Sequence, residues 1–340
     1  MSETILVTGG LGYIGSHTCV ALAEAGYRLV VVDNLSNSKP SVLDRLREIC
    51  PGARIDFHRA DLRDREGLEA VFARAPIDAV IHFAGLKAVG ESVEKPLLYY
   101  DNNVGGAIAL LEAMARHGVR RIVFSSSATV YGEPERLPLS EDHALRPASP
   151  YGKNKLVIEH ILADVAASDA QFRYAALRYF NPVGAHRSGR IGEDPRDVPN
   201  NLFPYIARVA VGSLPKLRVF GDDYDTPDGT GVRDYLHVTD LAAGHLAALE
   251  YLEKRERSIT ANLGTGRGWS VLEAVKAFEQ ASGKRVPIEI AARRAGDIAS
   301  CYADASLAAR ELGWKTTLQI DDMCRDAWRW QSKNPDGYPD

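Results

Sequence analysis

Residues 4–15 read Thr-Ile-Leu-Val-Thr-Gly-Gly-Leu-Gly-Tyr-Ile-Gly, and this stretch decides the fold. Its first five residues are apolar and β-branched, which is typical of a central strand buried on both faces. Gly9, Gly12 and Gly15 follow, and a helical pattern then runs over residues 16–25. A glycine-rich turn between a strand and a helix lets backbone N–H groups approach a pyrophosphate. The stretch therefore predicts a dinucleotide-binding fold, although its G-x-x-G-x-x-G spacing departs from the commoner G-x-G-x-x-G.

The second predicted strand ends in an acid. Residues 29–32 are apolar, and Asp33 follows them, 18 residues after Gly15. A carboxylate at this position accepts from a ribose 2′-hydroxyl and repels a 2′-phosphate, which favours NAD over NADP. The alternative is that Asp33 is a turn acid or a helix cap. Three polar residues that follow it are expected to help hold the adenosine: Asn34, Asn37 and Ser38.

Strand and helix patterns alternate through the first half of the chain. Further apolar β-rich runs occupy residues 55–58, 79–83, 121–125 and 174–177, and a long helical pattern runs from Tyr99 to His117. This alternation predicts an α/β fold with a Rossmann-type doubly wound parallel sheet and a smaller C-terminal α/β substrate domain. We expect an NAD-binding domain over residues 1–180 and a substrate-binding domain over 181–340, with some elements crossing back to the first domain.

Several residues at the ends of these strands are candidate nucleotide contacts. Asp61 and Leu62 are expected near the adenine. Small residues such as Ala84 let the backbone run close to the ribose and phosphates. Lys87 is either a donor to the nicotinamide ribose or a surface lysine, and Asn102 lies near the start of the long helix.

The candidate catalytic residues lie after the fifth strand. Tyr151 and Lys155 are four residues apart, so a helix places them on one face. A lysine ammonium there favours the phenolate and is expected to pull the tyrosine pKa down from about 10. Such a phenol is a general base for a hydroxyl that loses hydride from the same carbon. Ser127 ends a polar run where ligands of open α/β sheets bind. The alternative, a solvated Tyr–Lys pair, is disfavoured by the glycine loop.

Composition excludes several classes of function. The chain has 340 residues, 45% hydrophobic and 25% charged, with a formal net charge of −4. Without a basic run, nucleic acid and anionic membranes are not expected partners. The four scattered cysteines form no C-x-x-C pair, so we expect reduced thiols, a cytoplasmic enzyme and no metal site.

Together these motifs resemble the extended short-chain dehydrogenase/reductase superfamily, and within it the family of UDP-glucose 4-epimerases. The resemblance spans essentially the whole chain. Five runs carry it: HFAGLKAVGES (82–92), YDNNV (100–104), SSSATVYG (125–132), RYFNPVGA (178–185) and DGTGVRDY (228–235).

The resemblance implies a site of three parts. Ser127, Tyr151 and Lys155 are the catalytic residues. Besides the residues above, it adds these NAD contacts: Tyr13, Ile14, Leu35, Phe83, Tyr179 and Phe180, with Tyr151 and Lys155. For the UDP-hexose it implies Ser127, Tyr151, Asn181, Asn201, Leu202, Arg218, Val219, Phe220, Arg233, Arg294, Asp297 and Cys301. It also implies a homodimer built on the helices at 99–117 and 151–168.

The implied reaction is reversible epimerisation at C4 through a 4-keto sugar, with tightly bound NAD. Relatives that eliminate water or decarboxylate carry acidic residues just after the active-site serine or threonine. This chain has Ala128 and Thr129 at those positions, and neither can act as a general acid or base. Cys301 stands where the family holds either a bulky tyrosine or a small residue, and the small form implies acceptance of N-acetylated sugars. Tyr302 could refill that space by a register shift. The other classes left open are a dehydrogenase that releases its keto product and a non-catalytic NAD-binding regulator.

Overall fold

The structure, a computed structural model, describes residues 3–195, 199, 201–294 and 297–339. Its strands are β1 Thr4–Thr8, β2 Arg28–Asp33, β3 Ile55–Arg59, β4 Ala79–His82, β5 Arg121–Ser127, β6 Arg173–Tyr179, β7 Asn181–Val183, β8 Leu217–Phe220, β9 Val232–His237, β10 Ile259–Leu263, β11 Gly268–Ser270, β12 Ile288–Ala291 and β13 Ser300–Cys301. Its α-helices are α1 Tyr13–Glu24, α2 Ser41–Ile49, α3 Arg65–Phe72, α4 Val89–Glu94, α5 Pro96–Tyr99, α6 Gly106–Arg116, α7 Pro150–Ser168, α8 Leu202–Ala210, α9 Val238–Arg255, α10 Val271–Ser282, α11 Ser306–Glu311 and α12 Ile320–Lys333.

Seven strands form one sheet in the order β10-β6-β5-β4-β1-β2-β3. Every neighbouring pair in it is parallel. From β1 the chain adds β2 and β3 on one side, and it then crosses over to add β4, β5, β6 and β10 on the other side. Doubly wound sheets bind nucleotides at this crossover, between β1 and β4. The predicted Rossmann-type fold is confirmed.

Helices cover both faces of this sheet and bury its apolar side chains in two layers. One layer joins α1, α2 and α9 to the sheet, with Cys19, Leu46 and Leu249 in it. The other joins α3, α6 and α7, and includes Leu68 and Leu162. β1 is buried along its whole length, as its continuous apolar run predicts for a central parallel strand.

The remaining elements build a smaller lobe over the carboxyl ends of the strands. β7, β11 and β13 all pair with β9, and β12 pairs with β8. A third apolar cluster, which includes Phe203, Tyr235 and Phe278, is the core of this lobe. β10 nevertheless belongs to the large sheet, since it pairs with β6. The chain thus returns to the nucleotide-binding sheet after the first substrate-side elements.

The helix predicted over residues 99–117 is interrupted. A π-helical turn, Tyr100–Gly105, precedes α6 and contains Asn102 and Asn103. The buried Asn103 side chain accepts from Leu86 N at 2.8 Å and donates to Leu86 O at 3.0 Å. Because these partners are distant in sequence, the helical pattern alone does not reveal the irregular turn.

Within the described part of the chain, no helix combines the length and apolar character needed to cross a bilayer. Over the same ranges, no group of three or more His, Cys, Asp or Glu side chains is arranged to hold a metal ion.

Candidate active site

The glycine loop connects β1 to α1 and has no room for a side chain at Gly9 or Gly15. A β-carbon on Gly15 would lie 2.2 Å from Gly9 O, and one on Gly9 would lie 2.8 Å from Ala84 N. Gly9 also has a φ of +67°, a conformation that favours glycine. The backbone therefore packs closely here and leaves the N-terminus of α1 open to an anion. These residues fit the pyrophosphate of a dinucleotide.

Gly15→Ala is expected to weaken NAD retention about tenfold or more. The new methyl group would displace the Gly9 peptide, and each lost hydrogen bond to a charged group is worth about 1.5–3 kcal/mol. The measurement is the amount of nucleotide released from purified protein on denaturation. Gly90→Ala is the matched control, because a β-carbon there meets nothing within 4 Å. Full nucleotide content in Gly15→Ala would show that the loop is not the pyrophosphate cradle.

Asp33 is buried and organises the loops around it. Its carboxylate accepts from Leu11 N at 3.1 Å, Leu35 N at 2.9 Å and Ser38 Oγ at 2.7 Å. These contacts fix the glycine loop against the loop that follows β2. A carboxylate has about four acceptor sites, so three internal bonds leave capacity for a ribose hydroxyl. The turn-acid and ribose-binding interpretations of Asp33 are thus compatible.

The next two candidates contact each other. Asn34 Nδ2 donates to Asp61 Oδ2 at 3.0 Å, while Arg63 bonds both oxygens of Asp61. Its hydrogen bonds to Arg63 hold the pKa of Asp61 well below its usual range. Asn37 is exposed at the tip of the same loop. These side chains form one polar edge beyond β2 and β3, where the adenosine is predicted.

Lys87 pairs with an acid that the sequence did not single out. Lys87 Nζ lies 3.1 Å from Glu193 Oε1, and Asn201 Nδ2 donates to the same oxygen at 2.9 Å. Glu193 therefore links a predicted cofactor residue to a predicted substrate residue. Lys87 thus links the two lobes while about half exposed, and its contact with a nicotinamide ribose stays a prediction.

The three catalytic candidates converge at the carboxyl end of β5. Ser127 ends the strand, and its Oγ accepts from Thr129 N at 3.2 Å and Thr129 Oγ1 at 3.0 Å. Tyr151 lies in the first turn of α7, where its backbone N donates to the Oγ of the buried Ser92 at 3.2 Å. Lys155 Nζ lies 5.7 Å from the centroid of the Tyr151 ring. The predicted triad is therefore assembled.

In this structure, burial rather than Lys155 governs the pKa of Tyr151. Burial raises the pKa of Tyr151 to about 12, and a hydrogen bond with Ser127 opposes that rise. Lys155 Nζ instead donates to Ser125 O at 2.6 Å, and burial lowers the pKa of Lys155 to about 8. Spacing on a helix face does not report this backbone acceptor or the degree of burial, and burial is the larger effect.

Arginines and an aromatic ring gather in the smaller lobe. The guanidinium carbons of Arg218 and Arg294 lie 5.3 Å and 4.6 Å from the centroid of the Phe220 ring. Arg294 Nε also donates to Asp297 Oδ2 at 2.9 Å. Val219, between Arg218 and Phe220, turns its side chain into the core of the lobe and leaves only its backbone to contact a ligand. This group suits a flat base next to charged phosphates.

Arg233 and Cys301 lie side by side on paired strands. Arg233 Nη1 donates to Val232 O at 2.8 Å, and burial raises the pKa of the Cys301 thiol to about 11. Tyr302 packs elsewhere, because its ring lies 3.2 Å from where a Gly268 β-carbon would be.

The other predicted residues lie around the same strand ends. Tyr13 OH donates to Gly184 O at 2.7 Å, Tyr179 OH and Ser125 Oγ share a short hydrogen bond, and Asn102 Nδ2 donates to Asn103 Oδ1 at 3.0 Å. Gly12 and Ile14 flank Tyr13, and Phe180 and Asn181 follow Tyr179, whereas Phe83 follows β4, Leu62 follows Asp61 and Leu202 begins α8.

Three residues escaped the sequence analysis. Glu193, Asn103 and Ser92 fix the Lys87 side chain, the Leu86 backbone and the Tyr151 backbone. Asn103 and Ser92 lie inside the quoted runs, so their motif position was a usable signal. Glu193 carried none.

A Rossmann-type sheet, a glycine loop, a strand-end acid and a Ser-Tyr-Lys triad define an extended short-chain dehydrogenase/reductase. The family described as GDP-mannose 4,6 dehydratase, which belongs to this class, matches residues 6–327.

Closer relatives narrow the class. The UDP-glucose 4-epimerase of Bacillus subtilis (strain 168) is 60% identical over 334 residues, covering 98% of each chain. The UDP-glucose 4-epimerase of Bifidobacterium longum, solved with NAD+ and UDP, is 54% identical with a TM-score of 0.96, covering 99% of this chain and 100% of the other. That of Stenotrophomonas maltophila, solved with NAD and formylated UDP-arabinopyranose, is 55% identical with a TM-score of 0.95, covering 98% and 99%. The chain belongs to the UDP-glucose 4-epimerase family, which confirms the predicted family and the class of isomerase.

Proposed function

We propose that this protein interconverts UDP-glucose and UDP-galactose by reversible oxidation at C4 of the hexose. The observation that carries the proposal is the group of Ser127, Tyr151 and Lys155 at the end of β5, in which Ser127 and Lys155 are buried and Tyr151 is half-buried. Ala128 and Thr129, which follow Ser127, offer no carboxylate for an elimination. The matching family is described as a dehydratase. This chain lacks the acidic residue that a dehydration would need after Ser127.

NAD is the cofactor, as predicted, and relatives solved with it support this. The glycine loop and Asp33 would hold its pyrophosphate and adenosine ribose, and Lys155 would hold the nicotinamide ribose. Bound there, NAD would supply the acceptor for the C4 hydride and the donor for its return to the other face of that carbon, and its positive ring would favour the Tyr151 phenolate.

Tyr151 takes the O4 proton as the C4–H bond breaks, which leaves a 4-keto sugar. Ser127 shares a hydrogen bond with Tyr151 and so steadies the phenolate. Thr129 donates to Ser127 Oγ and aligns that hydroxyl. For the return step, Tyr151 gives the proton back to O4. Proton transfer of this kind is worth about 10²–10⁴-fold in rate.

The smaller lobe would anchor the nucleotide while the sugar turns. Arg218 and Phe220 would flank the uracil, Arg233 and Arg294 would bind the diphosphate, and Asp297 the uridine ribose. Guanidinium forks suit the two charges of a diphosphate. Asn181, Asn201 and Leu202 would contact the hexose.

The enzyme is also proposed to act on the N-acetylated pair, UDP-N-acetylglucosamine and UDP-N-acetylgalactosamine. Cys301 is small, and its strand neighbour is the diphosphate residue Arg233. The Tyr302 ring packs against Gly268 on β11. An acetamido group then has room to pass as the keto sugar rotates.

We further propose a homodimer through the surface that α6 and α7 share. Of the apolar residues on these helices, Leu110 and Leu162 are buried in the core, whereas Ile108 is 37% exposed. α4 and α5 pack beside α7 and add Val93 and Leu97, which are 63% and 83% exposed. A cluster of large exposed apolar side chains on adjoining helices is typical of an interface.

Light scattering at micromolar concentration is expected to give twice 37.1 kDa. Leu97→Glu should shift the protein to monomer, because burying an unpaired carboxylate is unfavourable. Ile290→Glu is the control, since Ile290 is 44% exposed on β12, in the smaller lobe. A wild-type mass of 37.1 kDa would contradict the dimer.

The reaction is tested by incubating the purified protein with UDP-galactose and no added NAD. We expect UDP-glucose to form without reduced nucleotide accumulating in solution. In a parallel incubation with NAD added, accumulation of a keto sugar with stoichiometric reduction of that NAD would identify a dehydrogenase. Tight NAD binding without turnover would identify a regulator.

In keeping with the scattered free thiols, the enzyme is proposed to act in the cytoplasm.

A further inference from the structure

One turn beyond Lys155, α7 carries a buried acid that the mechanism does not use. Glu159 and Arg178 are each 6% exposed and form an ion pair, with Arg178 Nη2 2.6 Å from Glu159 Oε2. Arg178 Nε donates to the two carboxylate oxygens at 3.0 and 3.2 Å. A buried pair loses much of its hydration, so replacing it with apolar residues is often neutral or stabilising. Stability alone therefore does not explain it.

The ion pair, together with Ser126, joins β6 to the two elements that carry the catalytic residues, α7 and β5. Glu159 lies on α7 with Tyr151 and Lys155, and Arg178 lies on β6. Ser126 Oγ on β5 donates a short hydrogen bond to Glu159 Oε1. Ser126 stands between Ser125, whose carbonyl accepts from Lys155, and Ser127. A shift of Glu159 relative to β5 would therefore move Lys155 relative to its acceptor.

The same network extends to the strand that returns from the smaller lobe. Arg178 Nη1 donates to Tyr131 OH at 3.2 Å, and Tyr131 OH donates to Asn262 Oδ1 at 2.6 Å. Asn262 Nδ2 donates to Leu139 O at 2.9 Å, in the loop that leads to α7. The loop before the catalytic helix and β10 are thereby fixed to one buried arginine.

We infer that Glu159, held by Arg178 and Ser126, is a positioning residue that sets the place of Lys155 beside Tyr151 and keeps its ammonium charged. The inference rests on the proposed function and assigns Glu159 no contact with the reacting atoms. Glu159 acts on Lys155 through the helix that both occupy and through its own negative charge.

The charge of Glu159 also acts on the Lys155 ammonium, in addition to the contacts that hold the helix in place. Burial lowers the pKa of Lys155 to about 8, and the Glu159 carboxylate opposes that shift. Other titratable groups face Lys155, Glu159 and Arg178 from the elements packed around them: Tyr151 on α7, His82 on β4, Tyr174 and Tyr179 on β6, Tyr131 after β5, and Glu141 in the loop before α7. Burial and the nearby Lys155 lower the pKa of His82 to about 3, so His82 is neutral at working pH. Removing the Glu159 charge should lower the Lys155 pKa further, so that the ammonium is lost at a lower pH.

Glu159→Gln in the holoenzyme tests the inference. We expect kcat for UDP-galactose to fall about tenfold or more, and the basic limb of the kcat/KM profile to move about one unit to lower pH, the size of shift a lost nearby charge produces. Glu159→Asp, which keeps the charge, should restore the limb and recover only part of kcat. Asp240→Asn is the control, because Asp240 is a buried carboxylate hydrogen-bonded to Thr317 and Leu318, on α9. It should lower thermal stability and leave the limb in place.

The outcomes separate cleanly. If the basic limb of the kcat/KM–pH profile of Glu159→Gln lies at the wild-type pH, the inference is overturned and the ion pair is only a structural contact. If Glu159→Gln does not fold, Ser126→Ala is the second test, because it removes the hydrogen bond from Ser126 to Glu159 and keeps the Glu159 charge. A lower kcat with an unmoved basic limb of the pH profile would support the positioning role. An unchanged kcat would contradict it. Absence of wild-type turnover would count against the proposed function instead. NMR titration of isotope-labelled lysine then reads the Lys155 pKa directly, and an equal value in wild type and Glu159→Gln would overturn the inference.

Discussion

Tyr151→Phe is expected to fold, retain NAD and lose at least about 10²-fold in turnover, the lower end for removal of a general base. The substitution keeps the ring beside Lys155 and removes only the hydroxyl. Ser127 keeps its bonds from Thr129 N and Oγ1, so the end of β5 should not move. The measurement is the steady-state rate of UDP-glucose formation from UDP-galactose.

Tyr27→Phe is the matched control for this variant. Tyr27 directly precedes β2, at the amino end of the strands, whereas the site lies at their carboxyl ends. Tyr27→Phe should therefore keep the wild-type rate. Turnover by Tyr151→Phe within a few-fold of wild type would show that another group removes the O4 proton. Loss of NAD together with turnover would point to a failed cofactor site rather than to missing acid–base chemistry.

Cys301→Tyr should remove activity on the N-acetylated sugars and spare UDP-galactose. A phenol ring would occupy the space beside Arg233 that the acetamido group crosses. Forcing extra volume into a packed site costs about 1–3 kcal/mol, so we expect a fall of tenfold or more for UDP-N-acetylgalactosamine. Rates for the two substrates, measured on the same preparation, give the selectivity.

Cys301→Ser separates size from thiol chemistry, because it keeps the side chain small and should keep both activities. A wild-type enzyme that does not turn over UDP-N-acetylgalactosamine would refute the pocket argument. Equal losses on both substrates in Cys301→Tyr would show a general disturbance of β13 instead.

The features that the sequence predicts are those with local causes. β1 and the glycine loop follow from a short apolar run and a fixed glycine spacing, and Asp33 follows from its position at a strand end. Tyr151 and Lys155 follow from the period of a helix. Each of these signals lies within about twenty residues of chain.

The features that escaped prediction depend on contacts between distant residues. The pairing of β10 with β6 joins segments separated by some eighty residues. Lys155 bonds the Ser125 carbonyl rather than acting on Tyr151 alone, and Lys87 finds Glu193 across the two lobes. Val219 turned inward because β8 alternates its faces, a register that the resemblance does not fix. Burial decides the Tyr151 pKa, and burial is a property of the whole fold.

The central claim is that one hydride leaves C4 and returns to the same carbon within one active site. It is tested most directly with UDP-galactose that carries deuterium at C4, incubated with the purified protein in ordinary water. We predict UDP-glucose that retains the deuterium at C4, with no reduced nucleotide released, as measured by NMR and mass spectrometry of the product. Product that has exchanged its C4 deuterium for a solvent proton, or a keto sugar released with reduced nucleotide, would contradict the account.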